Sequence, residues 1–156
     1  MTNYQFKTIG FIKEHDENMI FPEYMDDNVD FDASIINEIE RKKIINYLNE
    51  SAMIHSTPLA LFDEDIYIAP HMLLSDGGWI WTSHFAYYLN KLNFSRMTNE
   101  FLNHMRAKEY KVSPLSKAQR TNIDVFIGLK LLNLGEKARE SIRRNATKLG
   151  YDLSKI

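Results

Sequence analysis

IYIAPHMLLSDGGWIWTSHFAYYLNKLNF, Ile66–Phe94, is the stretch whose reading decides the fold. At its centre Ser75 leads into Asp76-Gly77-Gly78, residues that tolerate positive φ, and apolar runs flank them on both sides. That combination predicts a tight hairpin pairing Ile66–Leu74 with Trp79–Trp81. Thr82 or Ser83 then offers a hydroxyl oxygen to an orphaned amide of the next first turn, and Phe85, Tyr88, Leu89 and Leu92 follow at helical spacing. Trp79 and Trp81, two residues apart on one strand, share a face and read as core.

Toward the C-terminus, Ser95 or Thr98 opens a helix with Phe101, Leu102 and Met105 on its apolar side, and Tyr110–Pro114 breaks it. Ser116 caps a further run carrying Ile123, Phe126, Ile127, Lys130 and Leu131. Gly135 separates this from a last helix over Glu136–Leu149, which ends at Gly150, where a left-handed cap belongs. Toward the N-terminus, Phe62–Asp65 reads as the loop into the hairpin. Ala52–His55 is a third strand, expected to stop at Thr57-Pro58 because proline cannot donate to a ladder. Asp32 or Ser34 caps a helix over Ala33–Asn49, striped by Ile35, Ile36, Ile39, Ile44, Ile45 and Leu48, and Tyr4–Ile12 reads as a strand. The expected fold is therefore α+β, a small antiparallel sheet (the hairpin plus one or two strands) packed with about five α-helices.

A chain of 156 residues with 44% hydrophobic content suits a single domain, residues 1–156, with a basic helical part from about 115 onward. Its zero cysteines exclude disulfides, thiolate metal sites and cysteine nucleophiles, and favour a reducing compartment. The start of the chain lacks the basic opening and long apolar run of a signal peptide, and no stretch is apolar enough to span a membrane, so a cytoplasmic protein is expected. The net charge of −2 is unevenly spread: residues 1–100 carry 7 Lys/Arg against 16 Asp/Glu, and residues 101–156 carry 12 against 5. Such asymmetry bears on the choice of partner rather than on fold.

The spacing of chemically active residues is uninformative. His15, His55, His71, His84 and His104 lie 40, 16, 13 and 20 residues apart, without the short paired spacing that brings two ligands onto one ion. Only His71 and His84, flanking the hairpin, are expected near each other. Asp63, Glu64 and Asp65 are adjacent in a loop and point apart. There is no nucleophile elbow, phosphate loop or dinucleotide fingerprint, so no catalytic residue, metal or cofactor is assigned and the chain reads as a non-enzyme. Two alternatives stand beside that reading. One is a nucleic-acid-binding module using Arg139, Arg143, Arg144 and Lys148, which the negative net charge and the lack of interleaved aromatics disfavour. The other is a metal-dependent enzyme assembled from distant histidines.

Glu14–Asp32 holds eight acids and no Lys or Arg, interleaved with aromatic and apolar residues. Within it Asp16, Glu17, Glu23, Tyr24, Asp26, Asp27, Asp30, Phe31 and Asp32 form a candidate partner-binding surface, with carboxylates for complementarity and aromatics for contact area. The competing reading is an internal clamp on Arg139, Arg143 and Arg144.

The pattern Ser75-Asp76-Gly77-Gly78-Trp79-Ile80-Trp81, followed by Phe85–Leu89 and Phe101–Met105, resembles small bacterial immunity proteins of polymorphic-toxin and contact-dependent growth inhibition loci. The likeness spans about Met53–Met105 and departs from the pattern at Thr82, where those proteins commonly carry proline. It implies a protein that neutralises a cognate toxin domain by stoichiometric binding. Toxin domains that attack nucleic acid present basic surfaces, to which the acidic segment is complementary.

Overall fold

In the computed structural model, which describes residues 5–19, 24 and 31–155, the chain folds as an α+β protein. Its elements in order are β1 (Lys7–Ile9), α1 (Lys13–Asp16), α2 (Glu38–Glu50), β2 (Ala52–Asp63), β3 (Ile66–Ser75), β4 (Trp79–Thr82), α3 (Phe85–Lys91), α4 (Asn99–Ala107), α5 (Lys117–Phe126) and α6 (Glu136–Lys148). Short 3-10 turns occupy Ala33–Ile35 and Leu153–Lys155, and a π-helical turn, Ile127–Leu131, extends α5. No helix among the described residues is long and apolar enough to cross a membrane.

The hairpin forms where the sequence predicts it, and side chains lock its turn. Asp76 Oδ1 accepts from the amides of Gly78 and Trp79, both at 2.9 Å, and Ser75 Oγ donates to Trp79 O at 2.7 Å while accepting from Gly77 N at 3.0 Å. Gly77 takes a φ of +97°, open to glycine at no steric cost. The other carboxylate oxygen of Asp76 accepts from Tyr47 of α2 and from His104 of α4, so the turn also ties two helices together. Burial pushes the Asp76 carboxyl up, but these hydrogen bonds outweigh it and hold the group below the usual carboxylate range.

The strand order is β1-β4-β3-β2. β2, β3 and β4 are antiparallel neighbours, but β1 joins β4 in parallel, with Lys7 opposite Trp79 and Ile9 opposite Trp81. The sheet is therefore mixed, not the antiparallel one expected. A tight turn forces antiparallel pairing only between strands adjacent in sequence, and β1 is separated from β4 by most of the N-terminal half.

Three other expectations are corrected. The strand expected to end before Pro58 runs on to Asp63; Pro58 is tolerated because β2 is an edge strand and its pairing with β3 skips a register between Ser56 and Ala60. The helix expected over Ala33–Asn49 is split, because Asn37 Oδ1 accepts from Glu40 N at 2.8 Å and caps α2 itself. Thr82 and Ser83 do not cap α3; Thr82 Oγ1 donates to Gly10 O at 2.8 Å and Ser83 Oγ to Pro70 O at 2.6 Å, pinning neighbouring backbone. Thr98, Ser116 and Gly150 act as expected, Ser116 in a full capping box with Gln119.

Helices cover both faces of the sheet, which explains why every residue of β4 is buried. On one face Ile9, Leu74, Trp79 and Trp81 pack against Ile44, Tyr47 and Leu48 of α2, Phe85 and Leu89 of α3, and Phe101 and Met105 of α4. Both tryptophans are core, and Trp81 Nε1 donates to Leu48 O at 3.1 Å, which satisfies the indole N–H inside that core. On the other face Phe11, Leu73 and Ile80 meet Ile123, Ile127 and Leu131. A smaller cluster of Val125, Leu129 and Ala146 seats α6.

Gly10 follows β1 with a φ of +85°, and a Cβ built there would lie 2.6 Å from Phe85 Cγ. Gly10→Ala is expected to lower unfolding free energy by about 2–4 kcal/mol through backbone strain and overlap together. Urea unfolding checks this; an unchanged midpoint would mean that β1 is not seated against α3.

Candidate functional site

Two histidines from distant parts of the chain converge on Asp16, at the end of α1 and only 1% exposed. One carboxylate oxygen accepts from His71 Nε2 at 2.9 Å; the other accepts from His84 Nε2 at 2.9 Å and from the Ile12 amide at 2.8 Å. Each ring is oriented through its second nitrogen, His71 Nδ1 lying 3.2 Å from Thr57 Oγ1 and His84 Nδ1 3.2 Å from Thr82 Oγ1. Burial alone would push the Asp16 carboxyl up, but the hydrogen bonds from His71 and His84 prevail and hold it at about 2. It is a buried carboxylate whose donors are all in place.

A third histidine borders this group. The His15 ring centroid lies 5.1 Å from that of His84, and Tyr88 Oη is 2.8 Å from His15 Nε2. Burial and His84 keep His15 below its ordinary value, while burial, with Asp63 and Glu14 nearby, pushes the Tyr88 phenol up to about 12. The neutral phenol therefore donates to the ring and does not serve as a base. The arrangement ties α1, β2, β3, β4 and α3 together, with Asp16, His71 and His84 buried and His15 half-buried at its margin. Among the described residues no three His, Asp or Glu side chains are disposed to hold a metal ion.

The acidic segment is divided by this geometry. Asp16 is a buried structural carboxylate, not the partner-facing one expected, because two histidines from 55 and 68 residues downstream close over it. Phe31 is likewise withdrawn from the surface, packed in the core beside α2. Tyr24 is half-buried, its backbone bridged to Phe11 and its hydroxyl 3.4 Å from Asp16 O. Glu17 and Asp32 are exposed, with Asp32 also accepting from Ser34 N at 3.0 Å. Glu23, Asp26, Asp27 and Asp30 lie outside the described residues. Arg143, a candidate for the internal clamp, turns to Glu136 and Glu140 of its own helix.

A surface that the sequence reading missed stands at the far end of β2 and β3. Leu59 (55% exposed), Phe62 (50%), Ile66 (57%) and Tyr67 (55%) lie open to solvent there, with Phe62 and Tyr67 in edge-to-face contact across the two strands. Glu64, at a φ of +52°, and Asp65 make the turn, and both are exposed. Asp63 is taken up by Tyr87 and Lys91. Lys91 offsets Asp63, and the exposed Glu64 and Asp65 make no ion pair among the described residues, so the tip is acidic. Phe62 and Tyr67 form an exposed aromatic pair of the kind that marks interaction sites, whereas the β2 edge beside them is guarded by Pro58 and shifted register. The available signal was the placing of Phe62 and Tyr67 on either side of the Glu64-Asp65 turn.

Comparison with protein families, characterised proteins and solved structures finds no match for this chain.

Asp16→Asn keeps the shape and removes the charge, and is expected to cost about 3 kcal/mol at neutral pH, because the amide nitrogen that replaces one carboxylate oxygen cannot accept the buried hydrogen bonds made there. Because the folded carboxyl lies below its ordinary value of 3.8, its contribution is present above that value and is lost as pH falls toward about 2. The stability gap between wild type and variant should narrow over this window. Denaturant titrations across it would contradict the assignment if the gap stayed constant.

Proposed function

We propose that this chain is an immunity-type protein, which neutralises a cognate bacterial toxin domain by forming a stoichiometric complex and performs no chemistry itself. The observation that carries the reading is the β2–β3 tip, where Leu59, Phe62, Ile66 and Tyr67 are exposed around an acidic turn. Such a surface suits a partner with an apolar cleft rimmed by basic side chains, as a nucleic-acid-cleaving domain presents. The likeness of the Ser75–Trp81 and Phe85–Leu89 patterns to immunity proteins supports the same class. Asp16 and its two imidazole partners, His71 and His84, are buried, which supports a binding role over catalysis. The acids of the N-terminal segment, with Asp26, Asp27 and Asp30 at its centre, would steer association.

The test uses the C-terminal domain of the protein encoded immediately upstream of this gene. A tight complex is expected. Phe62→Ala with Tyr67→Ala should weaken it roughly thirtyfold or more, chiefly by faster dissociation. Changing Asp26, Asp27 and Asp30 together to Asn should instead slow association and flatten its salt dependence. Absence of a complex, or kinetics indifferent to both sets of changes at unaltered melting temperature, would overturn the proposal.

A further inference from the structure

A cleft of about 570 Å³ runs beside β1, between the start of α4 and the π-helical turn. Trp79 and Phe6 contribute to its apolar surface, and Phe126 closes on Phe6 edge to face with centroids 5.3 Å apart. Two cations border it in different states. Lys7 is paired with Glu100 and sits 5.6 Å from the Trp79 ring centroid, so its charge is already met. Lys130 lines the other wall, half-exposed, with no carboxylate within ion-pairing distance among the described residues.

From this geometry we infer a small-molecule binding site for an amphipathic carboxylate, an apolar body carrying one acid group. The volume and the aromatic lining fall within the range of ordinary ligand pockets. The aromatic walls favour an apolar body because its transfer from water is favourable in proportion to area buried. Lys130, the ammonium at this cleft without an ion pair among the described residues, selects a single anion at one end through a charge-assisted hydrogen bond. A neutral ligand would leave Lys130 unmet, and a dianion would face Glu100. The site lies apart from the β2–β3 tip and does not depend on the toxin-binding reading.

Dodecanoate below its micelle-forming concentration is a suitable probe, followed by calorimetry and tryptophan fluorescence, with dodecanol as the neutral comparator. Trp79 lines the cleft while Trp81 is fully buried, so the fluorescence change should be saturable and should vanish in Trp79→Phe. Lys130→Gln should weaken dodecanoate roughly tenfold and leave dodecanol binding as it was. Lys130 is on the surface of the π-helical turn, so an unchanged melting temperature verifies that the variant is folded. No saturable heat with dodecanoate, a fluorescence change that survives Trp79→Phe, or equal dodecanoate affinity in Lys130→Gln would each overturn the inference.

Discussion

The buried carboxylate of Asp16 is the constraint on which the other elements depend. Its charge is withdrawn from water, so it is stable there only while His71, His84 and the Ile12 amide all donate to it. Those donors come from the residue preceding α1, the middle of β3 and the residue preceding α3, and the two imidazoles reach Asp16 from 55 and 68 residues away. Thr82 adds a fourth tie by donating to Gly10 O while its oxygen lies beside the His84 ring. Displacing any one segment leaves a buried polar group without a partner, so the segments are fixed jointly. The parallel docking of β1 on β4 follows, since the chain leaving β1 must deliver Asp16 to the two imidazoles.

Asp76 plays a matching role at the other end of the sheet. It closes the β3–β4 turn through two amides and engages Tyr47 and His104 from two helices, so α2 and α4 are registered against the same strand pair that Asp16 fixes from the other side. Between the two carboxylates lie Trp79, Ile80 and Trp81, buried on both faces. This leaves the distal half of β2 and β3 beyond the reach of either cluster. There the hairpin extends past its helical cover, which is why its large apolar side chains remain in contact with water.

Local chemistry was well represented in the sequence. The Asp76-Gly77-Gly78 turn, the Thr98 and Ser116 caps and the left-handed Gly150 each depend on side chains within a few residues, and each was readable. What the sequence hid depended on distance or on position in the sheet. Pro58 signals a strand end only where a partner needs its N–H, and nothing local reveals that β2 lies at an edge. Asp16 looked like one more acid in a charged run because its partners lie 55 and 68 residues away. The nearness of His71 and His84 was legible from the hairpin, but the carboxylate joining them was not. Phe31 was misplaced for the same reason, its contacts being with the core beside α2 rather than with its neighbours.

The interior is tied together through Asp16, and His71 and His84 are committed to holding it. That commitment is open to direct observation in the imidazole rings. Long-range proton–nitrogen correlation spectra of the protein at neutral pH, with the rings of His71 and His84 assigned by substitution, report which ring nitrogens carry protons and how fast these exchange with water. The structure requires a slowly exchanging Nε2–H on both rings, held by Asp16. An unprotonated Nε2 on either ring, or a proton exchanging freely with solvent, would contradict it.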